Sequence, residues 1–382
     1  MEKKGKIALI GIRGIPVVYS GYETFSEVLS TELVKKNYAV TVYCRAPYVN
    51  PKKKSYRGVE LITLPTIPSK NFDTIFHSFI STVHACFQNY DTILYLSVGN
   101  SIFSFLPRIF GKRTIVNVDG MDWKRKKWGR FAKWFLNYSE YLATILPNAI
   151  VTDSFFIRDY YLSKYKKKSH YIPYGGFLGH QKNGTKLLKK CGLQKGKYFI
   201  WNGRLVPDNH IEELILAFKQ VKTDFKCVIL GDDLYKSAYR DKLHVLSSED
   251  GRIIFPGFVP HNTAEILVKN AFAYVETKRS GGTHPSLVEA MSVGSLIICD
   301  NLQANIDVLG NDTIYYSLKG GSVDLTKKII QLTMSSSSDI KMMKRNIKKR
   351  YMKYYRWQNI IDSYTRILFL DQTLMRIGIH DK

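Results

Sequence analysis

Cysteine is scarce and poorly placed for joint work. Cys44, Cys86, Cys191, Cys227 and Cys299 are odd in number, lie far apart and form no C-x-x-C pair, which argues against a disulfide framework, a thiolate zinc site or a dithiol redox centre. They read as reduced, structural thiols. Long apolar runs are missing as well: the stretches 100–110 and 141–151 are interrupted by Pro107 and Arg108 and by Pro147 and Asn148, well short of the ~18 to 20 apolar residues that cross a bilayer. Behind the basic first residues, Ile7 to Ile12 is too short for a secretory signal and reads as a strand, so the chain is expected to be cytoplasmic. Negative charge is in short supply too, with 57 Lys and Arg against 32 Asp and Glu and a net charge of +25. Such a surplus attracts polyanions: nucleic acid, anionic lipid headgroups or phosphorylated small molecules.

What is present is ample apolar and aromatic material: 45% of 382 residues are hydrophobic, with 25 Tyr, 20 Phe and 5 Trp. Disorder and a small peptide module are both excluded, and two domains are expected. Short runs rich in Ile, Val and Tyr at 6–12, 39–44, 59–64, 92–96, 113–118 and 149–153 alternate with helix candidates at 22–36, 71–88, 122–145 and 154–165. A connector follows at 173–196, and the alternation restarts. Strand candidates 197–202, 226–231, 252–255, 271–275, 295–299 and 313–316 are interleaved with helix candidates 209–221, 234–246, 261–269, 285–293 and 321–334. Strands alternating with helices predict an α/β chain of two doubly wound, Rossmann-like domains, with ligands bound beyond the carboxyl ends of the strands in a cleft between the domains. The boundaries are placed at 1–175 and 176–354, with a helix at 355–382 expected to return to the first domain.

Four loops carry residues suited to chemistry. Gly11-Ile-Arg-Gly14-Ile-Pro16 follows the first strand, with Gly21-Tyr-Glu23 at the next helix; glycines there admit a phosphate to backbone N–H groups or serve a tight turn. The spacing is not G-x-G-x-x-G, so a dinucleotide fingerprint is not supported. Trp201-Asn202-Gly203-Arg204 ends a strand in a forked, permanently charged donor suited to a diphosphate. In Lys278-Arg279-Ser280-Gly281-Gly282-Thr283-His284-Pro285, Gly281, Gly282 and Thr283 present N–H groups to an anion and Pro285 suits the first helical position. Glu289, one turn inside that helix, can accept hydrogen bonds from paired hydroxyls such as those of a ribose. Asp119, at the end of strand 113–118, can take a proton from an attacking hydroxyl or hold a substrate hydroxyl; Asp122, and by the competing reading Asp119, suits a helix N-cap. Asp232-Asp233 reads as a turn, and no metal is expected.

These residues resemble a known group, the family 4 glycosyltransferases of the GT-B fold. Asn202-Gly203-Arg204-Leu205-Val206-Pro207 and Gly281-Gly282-Thr283-His284-Pro285-Ser286-Leu287-Val288-Glu289-Ala290-Met291 look like its donor motifs. Gly11–Pro16, Gly21-Tyr-Glu23-Thr24-Phe25 and Asp119-Gly120-Met121-Asp122-Trp123-Lys124-Arg125 are similar to a bacterial rhamnosyltransferase-like subgroup that builds capsular and other surface polysaccharides. The resemblance implies a donor-binding second domain, an acceptor-binding first domain and retaining transfer. It places Arg204 at the diphosphate, Glu289 at the ribose, Gly281, Gly282 and Thr283 at the phosphates or sugar, and Val259, in Pro256-Gly257-Phe258-Val259, at the base. Gly14 would approach the donor from the first domain, Asp119 would take the catalytic position, and Glu23 and Asp122 would meet the acceptor. The donor is expected to be dTDP-rhamnose, or else a UDP-sugar, with no other cofactor. The wider family has a glutamate where this chain has Gly281 and a lysine where it has Asn209; Lys278 or Arg279 can stand in for the missing cation. A nucleotide-sugar epimerase on the same fold is the nearest rival.

Two basic segments complete the reading. In 123–135 and beyond, the aromatic positions 128, 131, 135 and 138 have helical spacing beside many cations, which suits either an anionic membrane surface carrying a lipid-linked acceptor or a core-facing stripe with a solvated basic face. The tail 341–356 mixes cations with aromatics and is the basis of a nucleic-acid-binding alternative. That alternative leaves the donor motifs unexplained, so no nucleic-acid partner is expected.

Overall fold

A computed structural model describes residues 3–16, 21–67, 69, 72–118, 120–124, 128–177, 179, 185–233, 237–279 and 282–370. The chain divides into two compact units, Met1–Pro173 together with Gln358 onward, and Tyr174–Trp357.

Unit 1 runs β1 (Lys6–Ile10), α1 (Gly21–Lys35), β2 (Ala39–Arg45), β3 (Ser55–Tyr56), β4 (Val59–Leu64), α2 (Asp73–Cys86), β5 (Thr92–Leu96), a 3-10 turn (Val98–Phe103), α3 (Phe105–Ile109), β6 (Arg113–Val118), a 3-10 turn (Asp122–Lys124), α4 (Arg130–Ile145), β7 (Ala149–Thr152), α5 (Phe155–Tyr165) and β8 (His170–Tyr171). Its sheet has the order β3-β4-β2-β1-β5-β6-β7-β8. Every pairing is parallel except the β3–β4 hairpin at the edge. Ile7 to Ile10 and Thr92 to Leu96 are wholly buried, because helices cover both faces of a parallel sheet and its central strands become continuous apolar runs.

Unit 2 runs α6 (Thr185–Lys190), β9 (Tyr198–Asn202), α7 (Ile211–Lys219), β10 (Lys226–Leu230), α8 (Ala238–Ser247), β11 (Ile253–Gly257), α9 (His261–Asn270), β12 (Ala273–Glu276), α10 (Pro285–Ser292), β13 (Leu296–Asp300), α11 (Gln303–Leu309), β14 (Ile314–Tyr316), α12 (Gly321–Thr333) and α13 (Ser337–Tyr354). The sheet is parallel throughout, in the order β11-β10-β9-β12-β13-β14. The strand order therefore reverses between β9 and β12, and in the first sheet between β1 and β5. Such reversal points are where open α/β sheets bind ligands.

The chain then returns to unit 1 through α14 (Trp357–Thr365) and a π-helical turn to Leu370. The Trp357 indole donates to the Gly176 carbonyl, ending unit 2. Beyond it Tyr364 is buried with its ring 5.1 Å from Phe25, its hydroxyl accepting from Asn117 Nδ2, while Thr92 Oγ1 donates to the Leu368 carbonyl at 2.8 Å.

Several expectations need correction. The helix expected over 122–145 starts only at Arg130, because Gly129 is extended at its N-cap. Of its four aromatic positions Trp128 lies before the helix; it and Phe135 pack against the unit 1 core, whereas Phe131 and Tyr138 face outward. Arg125, Lys126 and Lys127 lie outside the described residues. In the basic tail, Lys348 donates to the Ser292 carbonyl, and Arg350 to the Val308 and Asp307 carbonyls at 2.6 and 2.8 Å. These cations satisfy the exposed carbonyls at the ends of α10 and α11, favourable placements at helix C-termini.

Candidate active site

The end of β9 in unit 2 is built as a braced loop. Trp201, fully buried, donates through its indole to Thr277 Oγ1 at 3.0 Å; Thr277 donates to the Asn209 carbonyl at 2.6 Å, and Asn209 Nδ2 donates to the Arg204 carbonyl at 2.7 Å. Asn209, where the resemblance expects a lysine, thus uses its amide to hold the backbone that carries Arg204. Gly203 is needed for close approach: a Cβ there would stand 2.6 Å from Lys278 Cε and 2.8 Å from the Trp201 ring.

Across the reversal point, the end of β12 holds a buried ion pair. Lys278 Nζ donates to both oxygens of Glu276 at 3.0 and 3.1 Å, to Tyr274 OH at 3.1 Å and to Ser286 Oγ at 3.0 Å, and lies 4.7 Å from the Trp201 ring centroid. Arg279 reaches Glu213 at 2.5 Å and Asp300 at 3.3 Å. Both cations proposed as stand-ins for the missing lysine are therefore spent on internal partners. Lys278 fastens the first turn of α10, through Ser286, to the end of β12. The helix start, with about half a positive charge on its N–H groups, is what this clamp fixes in place.

Glu289 sits one turn inside α10, buried, with Oε1 3.7 Å from His261 Nδ1 on α9. Burial pushes its carboxyl up to about 8, Lys278 opposing and Glu265 adding to the rise. Gly282 and Thr283 are buried just ahead of the helix, and Val259, half-buried, packs against the unit 2 core beside the exposed Phe258. Gly281 lies outside the described residues. Asp232 accepts from the Asp233 N–H at 2.8 Å and Asp233 from the Ser237 N–H at 3.0 Å. Among the described residues no three or more His, Cys, Asp or Glu side chains gather as a metal site.

The strand ends of unit 1 carry a different polar assembly. Gly14 has φ +145°, and a Cβ there would stand 2.6 Å from Val49 Cγ1 and 2.9 Å from Cys44 Sγ. Packing alone therefore requires glycine at this position. Glu23, in the first turn of α1, is buried with Oε1 3.7 Å from Arg13 Nη1, and the Arg13 guanidinium lies 5.1 Å from the Tyr48 ring. Arg45 props the same loop from below, donating to Asp73 at 2.8 Å and to the Gly11 carbonyl at 3.2 Å.

Asp119 lies outside the described residues, but Asp122 is half-buried in the 3-10 turn that follows. That turn is anchored by a residue the sequence reading missed. Glu140 on α4, almost wholly buried, accepts from the Trp123 indole at 2.9 Å, the Tyr160 and Tyr165 hydroxyls at 2.6 and 2.7 Å, and Lys164 Nζ at 3.0 Å. Four donors on one buried carboxylate satisfy the condition under which a buried charge is tolerated. Only the odd placement of a lone glutamate in an aromatic helix could have signalled it.

Comparison with known proteins now bears on these sites. Residues 183–350 match the family model described as glycosyl transferases group 1, and residues 4–176 match one described as a domain of unknown function, DUF1972. No curated protein matches the chain. Among solved structures, sucrose-phosphate synthase from Thermosynechococcus elongatus superposes with a TM-score of 0.82 at 17% identity, covering 98% of this chain and 100% of that one. Anabaena HepE in complex with UDP and glucose follows with a TM-score of 0.77 at 15% identity, covering 95% and 99%. The UDP-forming α,α-trehalose-phosphate synthase of Burkholderia xenovorans, in complex with glucose-6-phosphate, gives 0.73 at 10% identity, covering 95% and 100%. Fold and domain match together give a GT-B fold of two Rossmann-like α/β domains, the second of which matches the group 1 glycosyl transferases. Within that fold, the DUF1972 match falls on unit 1 and the group 1 glycosyl transferase match on unit 2.

Proposed function

We propose that this protein is a retaining glycosyltransferase that moves rhamnose from dTDP-rhamnose to a lipid-linked saccharide in surface-polysaccharide assembly, at the inner face of the cytoplasmic membrane. Unit 2 holds the donor and unit 1 the acceptor. One observation carries the donor assignment: Arg204 follows the end of β9, and α10, which carries Glu289, is the helix that follows β12, the two strands that flank the reversal point. Complexes of Anabaena HepE with UDP and with UDP-glucose make a UDP-sugar the second donor to test.

In the reaction, the bond between the anomeric carbon and the diphosphate oxygen breaks, and its electron pair leaves with the nucleoside diphosphate. The acceptor oxygen bonds the same face of the carbon, and its proton passes to the departing phosphate or to Asp119. Negative charge grows on the phosphate as the sugar becomes cationic, so fixed donors aimed there lower the barrier. With Lys278 and Arg279 held by carboxylates, that charge falls to Arg204 and the N–H groups before and within the first turn of α10. Glu289 accepts hydrogen bonds from the ribose hydroxyls. Gly281, Gly282 and Thr283 line the phosphates or sugar, Val259 the base, and Glu23 and Asp122 the acceptor.

The test is thermal stability of the purified chain with dTDP, UDP, GDP and their sugars, wild type beside Arg204→Ala, since a ligand that binds only the folded state raises the melting temperature. Stabilisation by dTDP, lost in Arg204→Ala, is the expected result. A chain that no nucleotide stabilises at millimolar concentration would sink the donor assignment. Arg204→Ala should also slow transfer by about 10²- to 10³-fold, the loss typical of one preorganised donor.

A further inference from the structure

The outward face of α4 is the most unusual surface among the described residues. Its inner side is ordinary, with Leu136, Leu142 and Ala143 buried against the unit 1 core. Its outer side should be polar in a helix that faces water. Instead Phe131, Trp134, Tyr138, Tyr141 and Ile145 are all exposed, Phe131 at 74% and Trp134 at 61%. Their rings form a ladder, with Phe131 to Trp134 at 5.9 Å, Trp134 to Tyr138 stacked at 5.8 Å, and Tyr138 to Tyr141 at 6.4 Å.

A second apolar patch adjoins the end of this ladder. On α3, Ile109 is 73% exposed, and Phe110 just beyond it touches the exposed Phe87 ring at 5.6 Å. Arg108 on α3 donates to the Leu146 carbonyl, directly after Ile145, which ties the two patches together. Contiguous exposed apolar surface of this kind marks an interaction site.

We infer that this α3–α4 face of unit 1 lies flat on an anionic phospholipid bilayer, the rings and Ile109 entering the interface and the flanking cations meeting the headgroups. Charge selects the occupant. On and beside the two helices, Arg108, Lys112, Arg130 and Lys133 stand with no acidic residue in 105–112 or 130–138, which complements an anionic surface. A second copy of this chain is disfavoured by the same count, because a two-fold contact sets each patch against itself and brings like charges together. Tyr and Trp suit the boundary where one end of the side chain is dry and the other wet. No helix among the described residues is long and apolar enough to cross a membrane, so attachment at this face is interfacial.

The inference gives a surface to the membrane-facing role proposed above and rests on that reading for its purpose, while its test does not use transfer. Full-length protein is sedimented with vesicles of phosphatidylglycerol and phosphatidylcholine, or of phosphatidylcholine alone, at low and high salt. Wild type should bind the anionic vesicles at least tenfold more tightly, with salt weakening the binding. The triple variant Phe131→Ser, Trp134→Ser, Ile145→Ser should lose at least tenfold, while keeping any stabilisation by a nucleotide. Brominated acyl chains should quench tryptophan fluorescence in wild type and do so less in Trp134→Phe, a variant that keeps the face apolar. Equal vesicle binding by wild type and the triple variant, or quenching unchanged in Trp134→Phe, overturns the inference. So does a wild-type dimer that the triple variant converts to monomer, which would make the face a protein interface. A chain that binds vesicles as expected but is stabilised by no nucleotide would instead leave this surface standing and remove the donor assignment.

Discussion

The two units share one strand order about their reversal points and use it differently. In unit 2 the chemically loaded residues collect at the ends of β9 and β12, while its large exposed apolar side chains, such as Val245, Phe258 and Val323, stand on separate elements. In unit 1 four exposed aromatics, Phe131, Trp134, Tyr138 and Tyr141, align along α4, and the polar residues at the strand ends are turned upon one another in the Arg45–Asp73 and Arg13–Glu23 pairs. Burying a charge is costly unless an opposite charge accompanies it. Unit 1 therefore uses buried pairs to brace a glycine loop, whereas unit 2 uses one, Lys278 with Glu276, to set the start of a helix.

Breaking each brace in turn separates these roles. Lys278→Met should have the largest effect, about 4 kcal/mol off the stability of unit 2, because it strands the Glu276 carboxylate in the interior. Chemical denaturation measures it, and a loss below about 1 kcal/mol would mean that the pair is dispensable. Glu140→Ala should cost about 3 kcal/mol in unit 1 by orphaning two hydroxyls, an indole and an ammonium. It should also raise the acceptor KM and leave nucleotide stabilisation intact; a matching loss of nucleotide binding would contradict the division of labour between the units.

The smallest effect should be a pH dependence confined to unit 2. The carboxyl of Glu289 holds its proton up to about pH 8 in the folded chain, whereas an ordinary glutamate loses it near 4.3. The folded state then binds the extra proton between those values, so stability falls as pH rises from about 4.5 through 8. If ribose hydroxyls donate to the ionised carboxylate, nucleotide affinity should rise by up to about tenfold between pH 7 and 9, and Glu289→Gln should flatten that rise. Calorimetric titration at three pH values would decide it, a steep rise surviving in Glu289→Gln being the contrary result.

The α/β class, the two sheets and most strand positions were legible because a fully buried parallel strand writes itself as a short apolar run. Shorter elements escaped. The strands β3 and β8, with two residues each, carry no periodicity, and α3, α6 and α11 span a turn or two between residues that read as loop. At the candidate site, Arg204 and Glu289 could be singled out because each stands in a contiguous motif. Glu276, Lys278 and Glu140 were not singled out for their structural roles, since what defines them is the set of donors that tertiary packing brings from elsewhere, and spacing along the chain does not encode that set. The aromatic spacing of 123–138 was visible, but which rings face outward depended on where Gly129 starts the helix.

The return of the chain to unit 1 has a consequence for how the protein is made. Unit 2 is one continuous stretch, but unit 1 is completed by Tyr364 and Leu368, which fill its core beside Phe25 and Thr92. A ribosome that has delivered every other part of unit 1 must still synthesise all of unit 2 before those side chains emerge. The first unit to leave the ribosome is thus the last that can be finished, and it waits as an unfilled core while its neighbour folds ahead of it.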